Sequence, residues 1–92
     1  MILTFRDISI LKMCLEQKFM TLDQIAKMFF QESKHIYRVP ARRVNLLMKH
    51  GYLRAFKPNF DSKTLYLIAM KGVRLLAKKN LSNGLRIVKN RF

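Results

Sequence analysis

Hydrophobic and polar positions divide the chain into stretches with two different periods. In residues 4–17, Ile8, Leu11 and Leu15, with Ile10 and Cys14 beside them, gather on one arc at about 100° per residue. Ser9, Lys12 and Glu16 fall opposite. The run T-F-R-D sets a hydroxyl at the N-cap and Asp7 three residues on, close to a capping box, so a helix is predicted from Thr4 to about residue 17. T-L-D-Q repeats the device at Thr21, with Gln24 in the reciprocal position. Leu22, Ile25, Ala26 and Phe29 share a face there, flanked by Met28 and Phe30, and the second helix should end near Phe30.

The third helical pattern lies between Pro40 and Gly51. Proline is tolerated at a first helical position, where its missing N–H is no loss, and glycine suits the left-handed residue just past a helix end. Val39 is a poor N-cap, so the start is also compatible with a position a few residues earlier. Ala41, Val44, Leu47 and Met48 fall within about 120° of one another and form the docking stripe. After Gly51 the period changes. "YLRAFK" and "KTLYLIAM" are rich in aromatic and aliphatic residues, and "PNFDS" between them carries turn formers, which predicts a β-hairpin with a five-residue loop. "KGVRLLAKK" returns to helical spacing with Val73, Leu76 and Ala77, whereas "NLSNGLRIVKNRF", broken by Gly84 and its asparagines, receives no assignment. With no repeat, low-complexity run or linker, residues 1–80 read as one domain and 81–92 as a basic, apolar tail.

Helix, helix, helix, hairpin, helix is an α+β order, mostly α, and it is the order of a winged helix-turn-helix with a two-stranded wing. Half of the 92 residues are apolar, enough for a small core. The charge is what changes the picture. Nineteen Lys and Arg face five Asp and Glu, a net charge of +14. Up to residue 32 the bases Arg6, Lys12, Lys18 and Lys27 are matched by Asp7, Glu16, Asp23 and Glu32; the remaining bases face Asp61 alone. The excess therefore begins just before the third helix, which suits a polyanionic partner better than a surface that mixes signs for solubility. Cys14, the only cysteine, has no partner for an internal disulfide and reads as core. No apolar run approaches membrane-spanning length, and "MILTFRDISIL" lacks the marks of a signal peptide, so a cytoplasmic protein is expected.

Opposite the docking stripe, the third helix collects Arg42, Arg43, Asn45, Lys49 and His50, with Leu46 among them. Arginine reaches guanine O6 and N7 bidentately and asparagine pairs with adenine, so this face suits a DNA major groove. A solvated basic face is the plain alternative. Leu46 is expected to be simply exposed, with contact to a thymine methyl or to a second protein chain as the other readings. Arg54, Lys57 and Lys63 flank the hairpin tip; Lys57 and Lys63 either track phosphates or enter the minor groove, or they guard a strand edge against aggregation. Phe60 is expected to tuck back onto the sheet, the alternative being a ring free to stack on a base. Lys34, His35, Tyr37 and Arg38 mix basic and aromatic types ahead of the helix, fit for phosphate contacts or for an ordinary polar turn with Tyr37 half-buried. His50 is expected to favour the negative end of the helix. Catalysis finds no support: His35 and His50 have no carboxylate or cysteine at ligand spacing, the acids are dispersed, and no nucleophile elbow or phosphate-binding glycine loop occurs. No enzyme activity, metal or cofactor is expected.

In order along residues 3–78, "LTFRDISILKMC", "TLDQIAKMFF", "ARRVNLLMKHGYL" and "LYLIAMKGVRLL" resemble the N-terminal winged-helix domain of replication-relaxation proteins of bacterial plasmids, phages and mobile elements. The likeness rests on Arg6-Asp7, Ala41-Arg42-Arg43, Gly51-Tyr52-Leu53, and Tyr66 followed by Gly72. Winged-helix regulators of the multiple-antibiotic-resistance type share much of it. The resemblance implies duplex DNA binding through Arg42, Arg43, Asn45 and the wing lysines, in replication control or transcription. Those replication proteins continue into a further domain, whereas this sequence stops at Phe92, which leaves a fragment, a stand-alone regulator and a partner-dependent domain as readings. The expectation is thus sequence-specific duplex binding by a transcription or replication regulator. A protein-interaction module and an RNA-binding protein are the alternatives. Leu81, Leu85, Ile87, Val88 and Phe92 are candidates for a homodimer contact or for packing on the first helix.

Overall fold

The computed structural model describes residues 1–31 and 37–82, and it is an α+β structure, mostly helical. Helix α1 spans Phe5–Gln17, α2 Leu22–Phe29, α3 Arg38–Lys49 and α4 Met70–Ser82, while β1 (Leu53–Phe56) and β2 (Leu65–Ile68) pair antiparallel between α3 and α4. Both predicted capping boxes are made. The Thr4 amide donates to the Asp7 carboxylate at 2.8 Å and the Thr4 hydroxyl accepts from the Asp7 amide at 3.1 Å. Thr21 and Gln24 repeat the exchange at 2.9 and 3.3 Å. Such caps satisfy helix amides that would otherwise lack partners, and each contributes about 1 kcal/mol.

α3 ends as its sequence requires. Gly51 adopts φ +85°, its amide donates to the Met48 carbonyl at 3.0 Å, and the Tyr52 amide donates to Leu47 at 2.9 Å. These two bonds make a Schellman motif, in which glycine takes the left-handed position at little cost. The turn delivers the chain directly into β1. The start of α3 differs from the simplest reading: the helix begins at Arg38, so Pro40 is its third residue and is buried. Proline is still accommodated there, because an amide in the first turn has no carbonyl partner within the helix.

One core joins all the elements. Ile10, Leu11 and Cys14 of α1, Ile25 of α2, Val44 and Leu47 of α3, Leu53 of β1 and Leu76 of α4 are buried together with Met20 and Phe30. Met20, between α1 and α2, also bridges Tyr66 on the free edge of β2, with amide–carbonyl distances of 3.0 and 2.8 Å, which roots the hairpin in the helical body. The link between the strands comprises residues 57–64, longer than the five-residue loop expected, because Lys57, Lys63 and Thr64 leave the ladder. α4 extends through Ser82, so the tail boundary set at residue 81 falls inside that helix. The calls on Lys34, His35, Leu85, Ile87, Val88 and Phe92 lie outside the described residues, as does the side chain of Leu81.

Candidate nucleic-acid interface

The buried stripe of α3 fixes which side chains face outward. Pro40, Val44 and Leu47 are buried, at spacings of four and three. Arg38, Arg42, Asn45 and Lys49, at spacings of four, three and four on the opposite side, are all exposed. At about 1.5 Å rise per residue this ridge runs roughly 16 Å along the helix. No acidic residue stands in the first turn of α3, and among the described residues Arg38, Arg42 and Lys49 enter no ion pair. α1 and α2 place Asp7 and Asp23 at their N-terminal ends, where they complement the helix dipole. α3 places Arg38 there instead, against its own dipole, with Arg42 one turn on, so an external anion would relieve that repulsion.

Arg43 does not share this face, contrary to the expectation from sequence. It lies four residues before Leu47, at the margin of the docking stripe, and its guanidinium turns inward to Asp7. Nε donates to Oδ1 at 2.7 Å, Nη2 donates to Oδ2, and Nη2 also reaches the Ile2 carbonyl at 3.2 Å. The Asp7 side chain is fully buried, which alone would raise its pKa. The hydrogen bonds and charge of Arg43, with the Thr4 amide, outweigh burial and hold it below the ordinary carboxyl value. Arg43 therefore pins α3 to the start of α1.

Leu46 also departs from expectation. It is half-buried and lines a cleft of about 460 Å³ between the start of α1 and α3, with Phe5, Arg6, Phe30, Val39 and Arg42. Arg6 is not a candidate site residue from sequence, because Asp7 balances its charge there. In the structure Asp7 is engaged by Arg43, and the Arg6 guanidinium lies 4.6 Å from the centroid of the Phe30 ring, its charge available beside Arg42.

In the hairpin, Leu53 is buried while Arg54, Ala55 and Phe56 are exposed, so β1 leaves the body after one residue, whereas β2 stays partly buried against it. Arg54 and Lys57 are exposed cations on this projection. Lys63 is not free: its Nζ lies 2.7 Å from the Asp23 carboxylate, and the Tyr37 hydroxyl also donates to Asp23. These two bonds lower the Asp23 pKa and raise those of Lys63 and Tyr37, and they tie the hairpin to α2 and to the start of α3. Tyr37 is 52% exposed, so about half of it is covered. Phe60 is not tucked onto the sheet: at 92% exposure it stands out from the tip.

His50 follows α3 as its C-cap. Partial burial lowers its pKa, as do the charges of the N-terminus, Lys49 and Lys71, so a charged imidazole at the helix end is disfavoured. Lys71 takes that role, donating to the His50 carbonyl at 2.8 Å with its ammonium 4.6 Å from the Tyr52 ring centroid. Among the described residues no group of three or more His, Cys, Asp or Glu is placed to hold a metal ion, and no helix is long and apolar enough to cross a membrane.

The chain matches no family model, no curated protein and no solved structure.

Proposed function

We propose that the chain binds duplex DNA as a winged helix-turn-helix, with the outer ridge of α3 in the major groove and the β1–β2 hairpin as the wing along the backbone. The observation that carries this reading is the acid-free ridge of Arg38, Arg42, Asn45 and Lys49, exposed along the whole of α3 opposite its buried stripe. An α-helix, about 10–12 Å across with its side chains, fits a groove about 12 Å wide. Arg42 and Asn45 have the chemistry to read guanine and adenine edges; Arg38, Lys49, Arg54 and Lys57 have the charge to meet phosphates. Arg43 serves as a positioning residue. The resemblance to replication-relaxation domains favours a regulatory role in replication or transcription.

Binding of random-sequence duplex followed by rounds of enrichment, compared at fixed salt with single-stranded and duplex RNA, tests the proposal. Duplex DNA is the preferred partner, and Arg42→Ala weakens the enriched site by about 1–3 kcal/mol while relaxing the sequence preference. Equal affinity of wild type and Arg42→Ala for every nucleic acid would contradict it. A second reading, a protein-interaction module, is favoured by the cleft beside α3, where Phe5 is 88% exposed above Leu46 and Phe30. That reading predicts that Leu46→Asp abolishes partner capture while Arg42→Ala does not.

A further inference from the structure

The tip of the hairpin has a side chain that neither the core nor the ridge accounts for. Phe60 and Asp61 are the central residues of a turn closed on both sides. The Ser62 amide donates to the Asn59 carbonyl at 3.2 Å, the Asn59 amide donates to the Ser62 hydroxyl at 2.9 Å, and that hydroxyl donates back to the Asn59 carbonyl at 2.9 Å. Pro58, with its fixed φ, leads into the turn. The ring is thus carried outward on a braced support. Nothing apolar covers it; its one close aromatic-face neighbour is the Lys57 ammonium, 5.8 Å from the ring centroid. The hairpin is fastened by the Met20–Tyr66 bridge on β2 and, beside the turn itself, by the Lys63–Asp23 pair, so force applied at the tip is borne by the body.

A planar apolar group at the apex of a rooted projection, with cations behind it, matches a surface of flat apolar faces lined by phosphates. Asp61 narrows the match. It takes part in neither ion pair of the described residues, so its carboxylate is exposed beside the ring with its acceptor oxygens unengaged by a salt bridge. A carboxylate only accepts hydrogen bonds, and the guanine 2-amino group is the one base-edge donor in the minor groove. Resting on the DNA-binding reading above, we propose that the wing tip is a minor-groove wedge. Phe60 inserts between stacked bases at a deformable CA/TG step, Asp61 accepts from the guanine 2-amino group, and Lys57 meets the adjoining phosphate. Pyrimidine–purine steps unstack most readily, and apolar wedges of this kind kink the duplex toward the major groove, where the α3 ridge lies.

The experiment uses the full chain with two short duplexes of equal length, one with a central CA/TG step beside a 2-aminopurine reporter and one with an uninterrupted A-tract. The wild type should prefer the CA/TG duplex by roughly tenfold and brighten the reporter as the bases unstack. Phe60→Ala, at a position too exposed to affect folding, should lose both effects yet keep the same dependence of affinity on salt. Replacing the step guanine by hypoxanthine, which lacks the 2-amino group, should weaken the wild type several-fold and leave Asp61→Ala unchanged. If wild type and Phe60→Ala bind both duplexes with the same preference and reporter signal, the wedge is overturned while duplex binding stands. If the wild type binds neither duplex, both are overturned.

Discussion

Arg43 and Asp7 show how much one residue's direction decides. The two face each other across the junction of α1 and α3, the carboxylate fully buried and the arginine side chain 27% exposed. Removing either partner leaves the other without its main counter-charge. Arg43→Ala should therefore destabilise the fold by roughly 2–4 kcal/mol, somewhat below the loss for a wholly buried pair because water reaches the guanidinium. Chemical denaturation of the variant checks this. The same pair sets a pH response. Because the folded-state pKa of Asp7 is depressed, its contribution is complete above about pH 5 and is lost as pH falls through the ordinary carboxyl range and below it. Asp7→Asn should flatten that acid limb in a stability–pH curve. Cys14 offers a second test at this scale. Burial pushes its thiol up to about 11, so it should resist alkylation at pH 8 in the native protein and react at once in denaturant.

At the scale of elements, the joint between the hairpin and α4 is closely packed. A Cβ added to Gly72 would come within 2.7 Å of the Tyr52 carbonyl and of an Ile68 side-chain carbon. Gly72→Ala should cost about 1–3 kcal/mol by overpacking, read as a lower midpoint of thermal unfolding. These elements were largely legible in the sequence, since Thr4, Thr21 and Gly51 carry local signals that tertiary packing reinforced. The burial of Asp7 is legible too: it precedes Ile10, Leu11 and Cys14 by three, four and seven residues, and so shares their buried face. A carboxylate there requires a basic partner, and Arg43, one turn before Leu47, is the arginine of α3 on that side. Which base would answer Asp7 or Asp23 was beyond local reading, because pairs 36 and 40 residues apart depend on how helices and hairpin pack. Phe60 was misjudged for a related reason. Its burial depended on the body reaching beneath the tip, and the chain from Arg54 through Asp61 is exposed throughout.

For the whole molecule, the net charge of +14 becomes informative only once the paired bases are set aside. Arg43 and Lys63 are occupied by Asp7 and Asp23; Arg38, Arg42, Lys49, Arg54 and Lys57 stay exposed on α3 and the hairpin. Affinity for duplex DNA should accordingly fall steeply with salt, and Lys57→Ala should weaken all sequences alike while reducing the slope of log affinity against log salt by about one. The measurement closest to the central claim is a backbone-amide NMR titration of the chain with duplex DNA. Shifts concentrated at Arg38, Arg42, Asn45 and Lys49 and along the hairpin from Arg54 to Lys63 are the predicted result. Shifts centred on the α1–α4 side of the molecule, or none at saturating duplex, would contradict it.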